Sequence, residues 1–172
     1  TLCNYRVFLL FYLIVVSPIS VATPPFSATK EHLVGAMVFS FFDHIDWPRK
    51  DSQTRLIGVV GGSRQLLASF DQSAKAMSSR KQQYKIIPLT DVAEGLDIDL
   101  HILFVAESIA FESFSDAYRK AGVLLISEGR QNQRNIMINF RYGNGGTVDF
   151  DINRSNILRA GLSIDHEAVL LG

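Results

Sequence analysis

The order of apolar and polar residues predicts a helix at the start of the folded region. Between Lys30 and Trp47, apolar residues recur at helical spacing. Their stripe contains Val34, Met37, Val38, Phe41 and Ile45. Pro48 has no amide hydrogen and disfavours helical angles in the residue before it. The helix is therefore expected to end at Trp47.

Four short apolar runs follow, and each has the length of a buried strand. They occupy residues 56–61, 84–89, 101–106 and 123–127. The segments between them are compatible with helices, and the clearest begins after the capping residue Ser63 and reaches about Met77. "TDVAEGL" and "FESFSDAYRKAG" are the other two. Strands that alternate with helices predict crossover connections and a parallel sheet.

The pattern changes after Gly129. Apolar and polar residues alternate in "IMINFRY" and again in "TVDFDI", with "GNGG" between them, which predicts a hairpin. Asn153 is placed to cap a last short helix that ends near Gly161. The predicted fold class is α/β: a mostly parallel central sheet flanked by helices on both faces, a Rossmann-like three-layer sandwich, with a C-terminal β-hairpin.

The first residues have the layout of a signal peptide. A basic residue precedes an apolar run at residues 7–16, a serine and a proline break the run, and small residues end at Ala22. An uncleaved membrane anchor is the alternative, although about ten apolar residues are few for spanning a bilayer. We expect a signal peptide at 1–22, a linker at 23–29 and a single exported domain at 30–172.

Composition narrows the classes of function. At 47% apolar and 20% charged residues, the chain has the profile of a globular domain with a sizeable core. Lys plus Arg and Asp plus Glu both number 17, so no charge excess points to nucleic acid or anionic lipid. The single cysteine, Cys3, precedes the expected cleavage point. The mature chain would therefore have no thiol for a disulfide, catalysis or a metal.

Asp43, His44 and Asp46 are residue types that bind metals or transfer protons. On a helix they point in different directions, so we expect neither a metal site nor a catalytic site there, and no cofactor. Phe39 and Trp47 fall on the same side of the helix as the two acids, away from the apolar stripe. They predict an exposed aromatic interface with an acidic rim, or rings covered by a neighbouring segment.

A polar crevice at the end of the strands is a second candidate site. Ligands of open parallel sheets bind beyond the carboxyl ends of the strands, where this chain has the turn of Gly61 and Gly62. The crevice would contain Ser63, Thr90, Asp91, Glu107, Ser108 and Glu128. Because this set has no histidine or cysteine, a hydrolase is not favoured.

A third group lies near the C-terminus, where His166 and Glu167 follow Arg154 and Arg159. The group is compatible with a surface network, or with a contact or ligand site that responds to pH through His166. Partner contacts are expected at Phe39, Asp43, Asp46, Trp47, Arg154, Arg159 and His166.

Three strings resemble segments of one protein family. "KEHLVGAMVFSFFDHIDWP" resembles its first helix, which ends in an aromatic residue and proline, and "LIGVVG" resembles its first strand. "TVDFDINRSNILRAGLSIDHEAVLL" resembles its closing strand, Gly-Leu-x-Ile turn and leucine-rich end. This is the YfiR family of exported repressors of membrane-bound diguanylate cyclases. The chain departs from it in lacking cysteines after the apolar run, so redox control is not carried over, and its loop "EGRQNQRN" lacks the usual glycine pair.

The resemblance implies a non-enzymatic periplasmic protein that binds an inner-membrane diguanylate cyclase or sensor protein, represses it, and so lowers cyclic-di-GMP and biofilm formation. A competing outer-membrane lipoprotein or an envelope signal would release it, and a homodimer is left open. The residues leave two other hypotheses. One is a periplasmic small-ligand sensor or solute-binding domain that uses the crevice, as part of a sensor kinase system, and the other is a hydrolase with an unfamiliar site.

Overall fold

The computed structural model describes residues 29–48, 52–106, 109, 112–129 and 134–165. Expectations for residues 1–28, including the signal peptide, lie outside these ranges. The elements, in chain order, are α1 (Lys30–His44), β1 (Ile45–Asp46), β2 (Thr54–Val60), α2 (Arg64–Met77), β3 (Gln83–Leu89), β4 (Ile102–Val105), α3 (Glu112–Lys120), β5 (Leu124–Glu128), β6 (Ile138–Tyr142), β7 (Val148–Ile152), α4 (Arg154–Arg159) and β8 (Ser163–Ile164).

Six strands form one sheet in the order β3-β2-β4-β5-β6-β7. Strands β2 to β6 run parallel, and β7 pairs antiparallel with β6, so that Phe140 lies opposite Phe150. The expected α/β sandwich with a C-terminal hairpin is confirmed. Every residue of β4 is buried, as is typical of a parallel strand that is covered on both faces.

The expected caps of two helices are confirmed. Ser63 Oγ accepts a hydrogen bond from the Leu66 amide at 3.1 Å, and Asn153 Oδ1 accepts one from the Asn156 amide at 3.0 Å. Each bond satisfies one of the amide groups that a helix start leaves without an intrahelical partner. The segment 90–96, by contrast, does not form an α-helix. It contributes only to the short 3₁₀ helix at Glu94–Asp97.

Helices α1 and α2 cover one face of the sheet through a cluster of aromatic rings. The ring of Phe70 in α2 lies 5.3 Å from that of Phe104 in β4, and the ring of Phe41 in α1 lies 5.4 Å from that of Phe150 in β7. Phe39 joins the two helices, since its ring lies 6.4 Å from Phe70. All three pairs meet edge to face, which stabilises them beyond the burial of their area. Helix α1 is thus buried both against the sheet and against α2.

Shorter pieces of chain cover the opposite face. Leu103 points to that face, because neighbouring strand residues alternate and Phe104 points to the aromatic cluster. A Cβ atom at Gly58 would lie 2.7 Å from Leu100 Cδ1 and 3.3 Å from Leu103 Cδ1. The connection from β3 to β4 therefore packs directly on β2, and the missing side chain at position 58 leaves room for it.

Helix α1 ends three residues before the expected position. Ile45 has extended backbone angles and forms β1 with Asp46. This strand pairs antiparallel with β8, with Ile45 opposite Ile164, and the Asp165 amide donates to the His44 carbonyl at 3.0 Å. The helix thus ends where the backbone pairing with β8 begins, ahead of Pro48.

Replacement of Phe39 by alanine should lower the free energy of unfolding by about 3–5 kcal/mol, because it leaves a cavity between α1, α2 and β3. Asp43→Ala, on the exposed side of the same helix, should change it by about 0.5 kcal/mol or less. Urea denaturation of both variants checks this prediction. Equal midpoints for Phe39→Ala and the wild type would show that the cluster does not hold the helices together.

Candidate functional site

The end of α1 carries two exposed acids above two buried aromatic rings. Asp43 and Asp46 are exposed, whereas the exposed fraction is 0% for Phe39 and 4% for Trp47. Of the two alternatives that the sequence left open, the structure therefore supports rings covered by neighbouring segments and not an exposed aromatic interface. Phe39 lies outside the predicted apolar stripe, but it is buried because it packs against Phe70 of α2. The helical angle assigned to Trp47 does not apply, because the helix has already ended.

Trp47 anchors the chain that follows α1 to the sheet. Its Nε1 donates a hydrogen bond to the His101 carbonyl at 3.2 Å, which satisfies the only polar group of the ring. Its ring lies 5.4 Å from the Phe42 ring, and the Arg55 guanidinium lies 5.5 Å from its centroid, within the range of a cation–π contact. Trp47 thus fixes the position of the neighbouring Asp46 on the surface.

His44 turns away from the two acids that flank it. Its Nδ1 lies 2.9 Å from Asp165 Oδ2, so its partner is in the segment that follows β8. Asp43, His44 and Asp46 are not brought together. Within the described ranges, no group of three or more His, Cys, Asp or Glu side chains could hold a metal ion.

Ser63, Thr90 and Asp91 lie along the carboxyl edge of the sheet, and each makes a local contact. Ser63 caps α2. The Thr90 hydroxyl and amide both donate to Glu94 Oε2, at 2.7 and 2.9 Å, and these bonds hold the pKa of the Glu94 carboxyl below its ordinary value. Asp91 Oδ1 accepts from the amides of Ala93 and Glu94, at 2.8 and 3.0 Å. Much of their hydrogen-bonding capacity is thus used within the loops themselves.

The direction of the strand order reverses between β2 and β4, where doubly wound sheets bind ligands. Gly61 follows β2 with a φ of +74°, which favours glycine, and a Cβ atom there would lie 2.6 Å from Ile109 Cγ1. The Ile109 side chain therefore occupies this position. Glu107 and Ser108 lie outside the described residues. A small ligand in the crevice stays a prediction that these contacts do not favour.

Glu128 belongs to a cluster at the start of α1. The Tyr142 hydroxyl donates to Glu128 Oε1, and Lys30 Nζ lies 3.9 Å from the same oxygen. Lys30 Nζ also lies 3.4 Å from the centroid of the Tyr142 ring. Glu128, which was predicted to line the crevice, thus links α1 to β5 and β6.

The arginines of the predicted C-terminal group are both exposed on α4. Arg159 is held locally, since its Nη2 donates to Asn156 Oδ1 and its Nε donates to the Ser155 carbonyl at 3.3 Å. His166 and Glu167 lie outside the described residues, so their contact with Arg154 and Arg159 stays a prediction.

A groove between the β3–β4 connection and the end of α3 did not emerge from the sequence analysis. Its volume is about 260 Å³, and we call it the Leu96 groove. It is lined by Gly95, Leu96, Asp97, Ile98, Asp99, Tyr118, Ala121 and Val123. The one sequence feature that could have drawn attention to it is the string "DVAEGLDID", which contains four acids and no base in a chain of balanced charge.

The domain that carries these surfaces matches a known protein family. The family model DUF4154, described as YfiR/HmsC-like, matches residues 31–171. The chain belongs to the YfiR/HmsC-like family. At the level of the family, membership supports a periplasmic, non-enzymatic regulator of diguanylate cyclase signalling. None of the helices in the described part of this YfiR/HmsC-like chain has the length and apolar character needed to cross a membrane.

No curated protein matches the chain. Among solved structures, it is similar to apo CalE6, a methionine gamma lyase from Micromonospora echinospora, with a TM-score of 0.41 and 8% sequence identity. The similarity covers 66% of this chain and 32% of that one, so the YfiR/HmsC-like chain matches about a third of the length of the enzyme.

The stability of the protein should fall as the pH rises from about 10 to 12, in part through Tyr118. Burial, with a smaller effect from Asp91, raises the pKa of Tyr118 from 10.0 to about 12. The unfolded chain therefore loses this proton at a lower pH than the folded chain, which favours unfolding above pH 10 and has no effect below it. Urea denaturation across this range should show a smaller fall for Tyr118→Phe than for the wild type, and identical falls would contradict the assignment.

Proposed function

We propose that this chain binds the periplasmic part of an inner-membrane diguanylate cyclase and holds the cyclase inactive. Lower cyclic-di-GMP and less biofilm follow from that repression. A cleaved signal peptide at residues 1–22 delivers the protein to the periplasm, and an outer-membrane lipoprotein releases the cyclase by competing for the same protein.

The family match over residues 31–171 carries this proposal. Of the contact residues predicted from the sequence, Asp43, Asp46 and Arg154 are exposed and open to a partner. Phe39 and Trp47 are buried, so they do not contact the partner directly. They hold the acidic end of α1 in place. The partner surface is therefore polar at its rim and is supported by a rigid aromatic layer.

The purified protein should form a complex with the purified periplasmic domain of a diguanylate cyclase from the same organism, as measured by isothermal titration calorimetry. Deletion of the gene should raise cellular cyclic-di-GMP, and expression in trans should restore the original level. If no cyclase domain of the organism binds and deletion leaves cyclic-di-GMP unchanged, the proposed function is wrong.

Reversal of the acids at the end of α1, as Asp43→Lys with Asp46→Lys, should slow association with the cyclase domain about tenfold, because charges at the rim of an interface act mainly on the association rate. Surface plasmon resonance measures that rate. Asp71→Lys with Asp149→Lys changes two other exposed acids and gives the same net charge. Equal slowing in both double variants would show that total charge, and not this surface, is responsible.

A further inference from the structure

The central sheet ends at two edge strands, β3 and β7. Successive residues of a strand direct their backbone amide and carbonyl groups to opposite sides, so half of these groups on an edge strand face away from the sheet. Such groups are a template for pairing with another strand, and native proteins usually block them. The two edges of this sheet differ in whether they are blocked.

The edge at β3 is largely closed. The Gln83 amide donates at 2.7 Å to the carbonyl of the residue that precedes β2, so Gln83 faces β2. The alternate residues Tyr84, Ile86 and Pro88 therefore face outward. The Tyr84 amide already donates to Ser78 Oγ at 3.1 Å, and Pro88 has no amide hydrogen. Of the outward positions, Ile86 alone keeps an amide hydrogen for a further strand.

The pairing of β6 with β7 sets the alternation at the other edge. The Gly143 amide donates to the Thr147 carbonyl at 3.0 Å, and the Asn153 amide donates to the Met137 carbonyl at 2.7 Å. These bonds lie at the two ends of the antiparallel register. In such a pair, residues that exchange backbone bonds alternate with residues that do not. The odd-numbered residues of β7 therefore bond to β6, and its even-numbered residues face outward.

The outward residues of β7 are Val148, Phe150 and Ile152, and we call their backbone groups the β7 edge. Each of these residues has an amide hydrogen, unlike Pro88 on β3. Within the part of the chain that the structure describes, no side chain accepts from these amides as Ser78 does from Tyr84. Their donors and acceptors recur with the spacing of a strand, so the matching occupant is an extended chain.

The side chains of β7 select among extended chains. Asp149 and Asp151 are exposed on one face of the sheet, and Val148 and Ile152 are half-buried on the other. Arg141 lies opposite Asp149 in the register, and its Nε lies 3.1 Å from Asp151 Oδ2, so one cation serves two acids. A strand added beside β7 should therefore have Lys or Arg on the acidic face and apolar residues on the other.

A second copy of this chain does not fit these requirements. If two β7 strands paired antiparallel around Phe150, Asp149 of one copy would lie opposite Asp151 of the other. Like charges directly opposite each other destabilise a sheet. The two acids thus oppose self-pairing, and they leave the edge open to a strand of different composition.

We propose that the β7 edge binds an extended segment of a protein partner by strand addition, and that Lys or Arg alternates with apolar residues in this segment. Backbone bonds to Val148, Phe150 and Ile152 supply the binding, and the side chains set the preference. The inference goes beyond the proposed function and does not rest on it, because it holds for any partner that presents such a segment.

Hydrogen exchange measured by NMR tests the β7 edge in two steps. In the free protein, the amides of Val148, Phe150 and Ile152 should exchange faster than those of Asp149 and Asp151, which donate to β6. At saturation, the peptide Thr-Lys-Val-Lys-Val-Lys-Thr should slow exchange of the three outward amides about tenfold or more. The opposite alternation in the free protein, or no slowing by the peptide, would overturn the proposal.

Two control peptides separate strand pairing from charge. The first has the same sequence with its backbone amides N-methylated, which keeps the charge and removes the donors. The second is Thr-Glu-Val-Glu-Val-Glu-Thr. Neither should slow exchange at the β7 edge, and an equal effect of either control would contradict the proposed recognition. Protection of the same amides in the protein alone, lost on dilution, would show that a second copy occupies the edge and would also overturn it.

Three variants sharpen the titration. Val148→Pro removes an outward amide hydrogen without removing a bond to β6, so the basic peptide should bind about tenfold more weakly. Val148→Ala keeps that hydrogen and is the matched control, with binding within about twofold of the wild type. Asp149→Lys leaves every backbone group in place and should favour the acidic peptide over the basic one. Wild-type binding by folded Val148→Pro, or an unchanged preference in Asp149→Lys, would overturn the proposal.

Discussion

The structure depends on covering a parallel sheet from both sides. The side chains of β4 are buried whichever face they point to, so neither face can be left to solvent without a large loss of hydrophobic stabilisation. The chain meets this need unequally. The long helices α1 and α2 cover one face through the aromatic cluster, whereas short elements cover the other. The Leu96 groove is the gap that this unequal covering leaves.

The need to cover the sheet also explains why the end of α1 has buried aromatic residues on its core side and exposed acids on its solvent side. Because the helix ends at His44, Trp47 can reach the base of β4, where it donates to the His101 carbonyl. The pairing of β1 with β8 and the contact between His44 and Asp165 then join the first helix to the C-terminal segment. Asp43 and Asp46 remain on the outside because their neighbours are drawn into the core.

The fold could be predicted from the sequence because its signals are local. Apolar runs predicted the strands. Ser63 and Asn153 predicted the starts of two helices, because a capping side chain contacts an amide only three positions away. The burial of Phe39 was missed because it depends on α2, whose Phe70 lies 31 positions later in the chain. The early end of α1 depends on β8, which is farther still. The Leu96 groove was missed because a helix-compatible pattern at residues 90–96 does not reveal that the segment forms only a 3₁₀ turn.

The acidic end of α1 and the Leu96 groove lie at the same edge of the sheet. Ala121, which lines the Leu96 groove, also lines a small hollow with Trp47 and Pro48, the residues that follow Asp46. This edge lies at the start of β4, because Trp47 contacts His101 there. A partner that approached it would meet the carboxylates of α1 on one side and those of the β3–β4 connection on the other. The Arg55 guanidinium lies against the Trp47 ring at the same edge, so a partner there would meet charges of both signs.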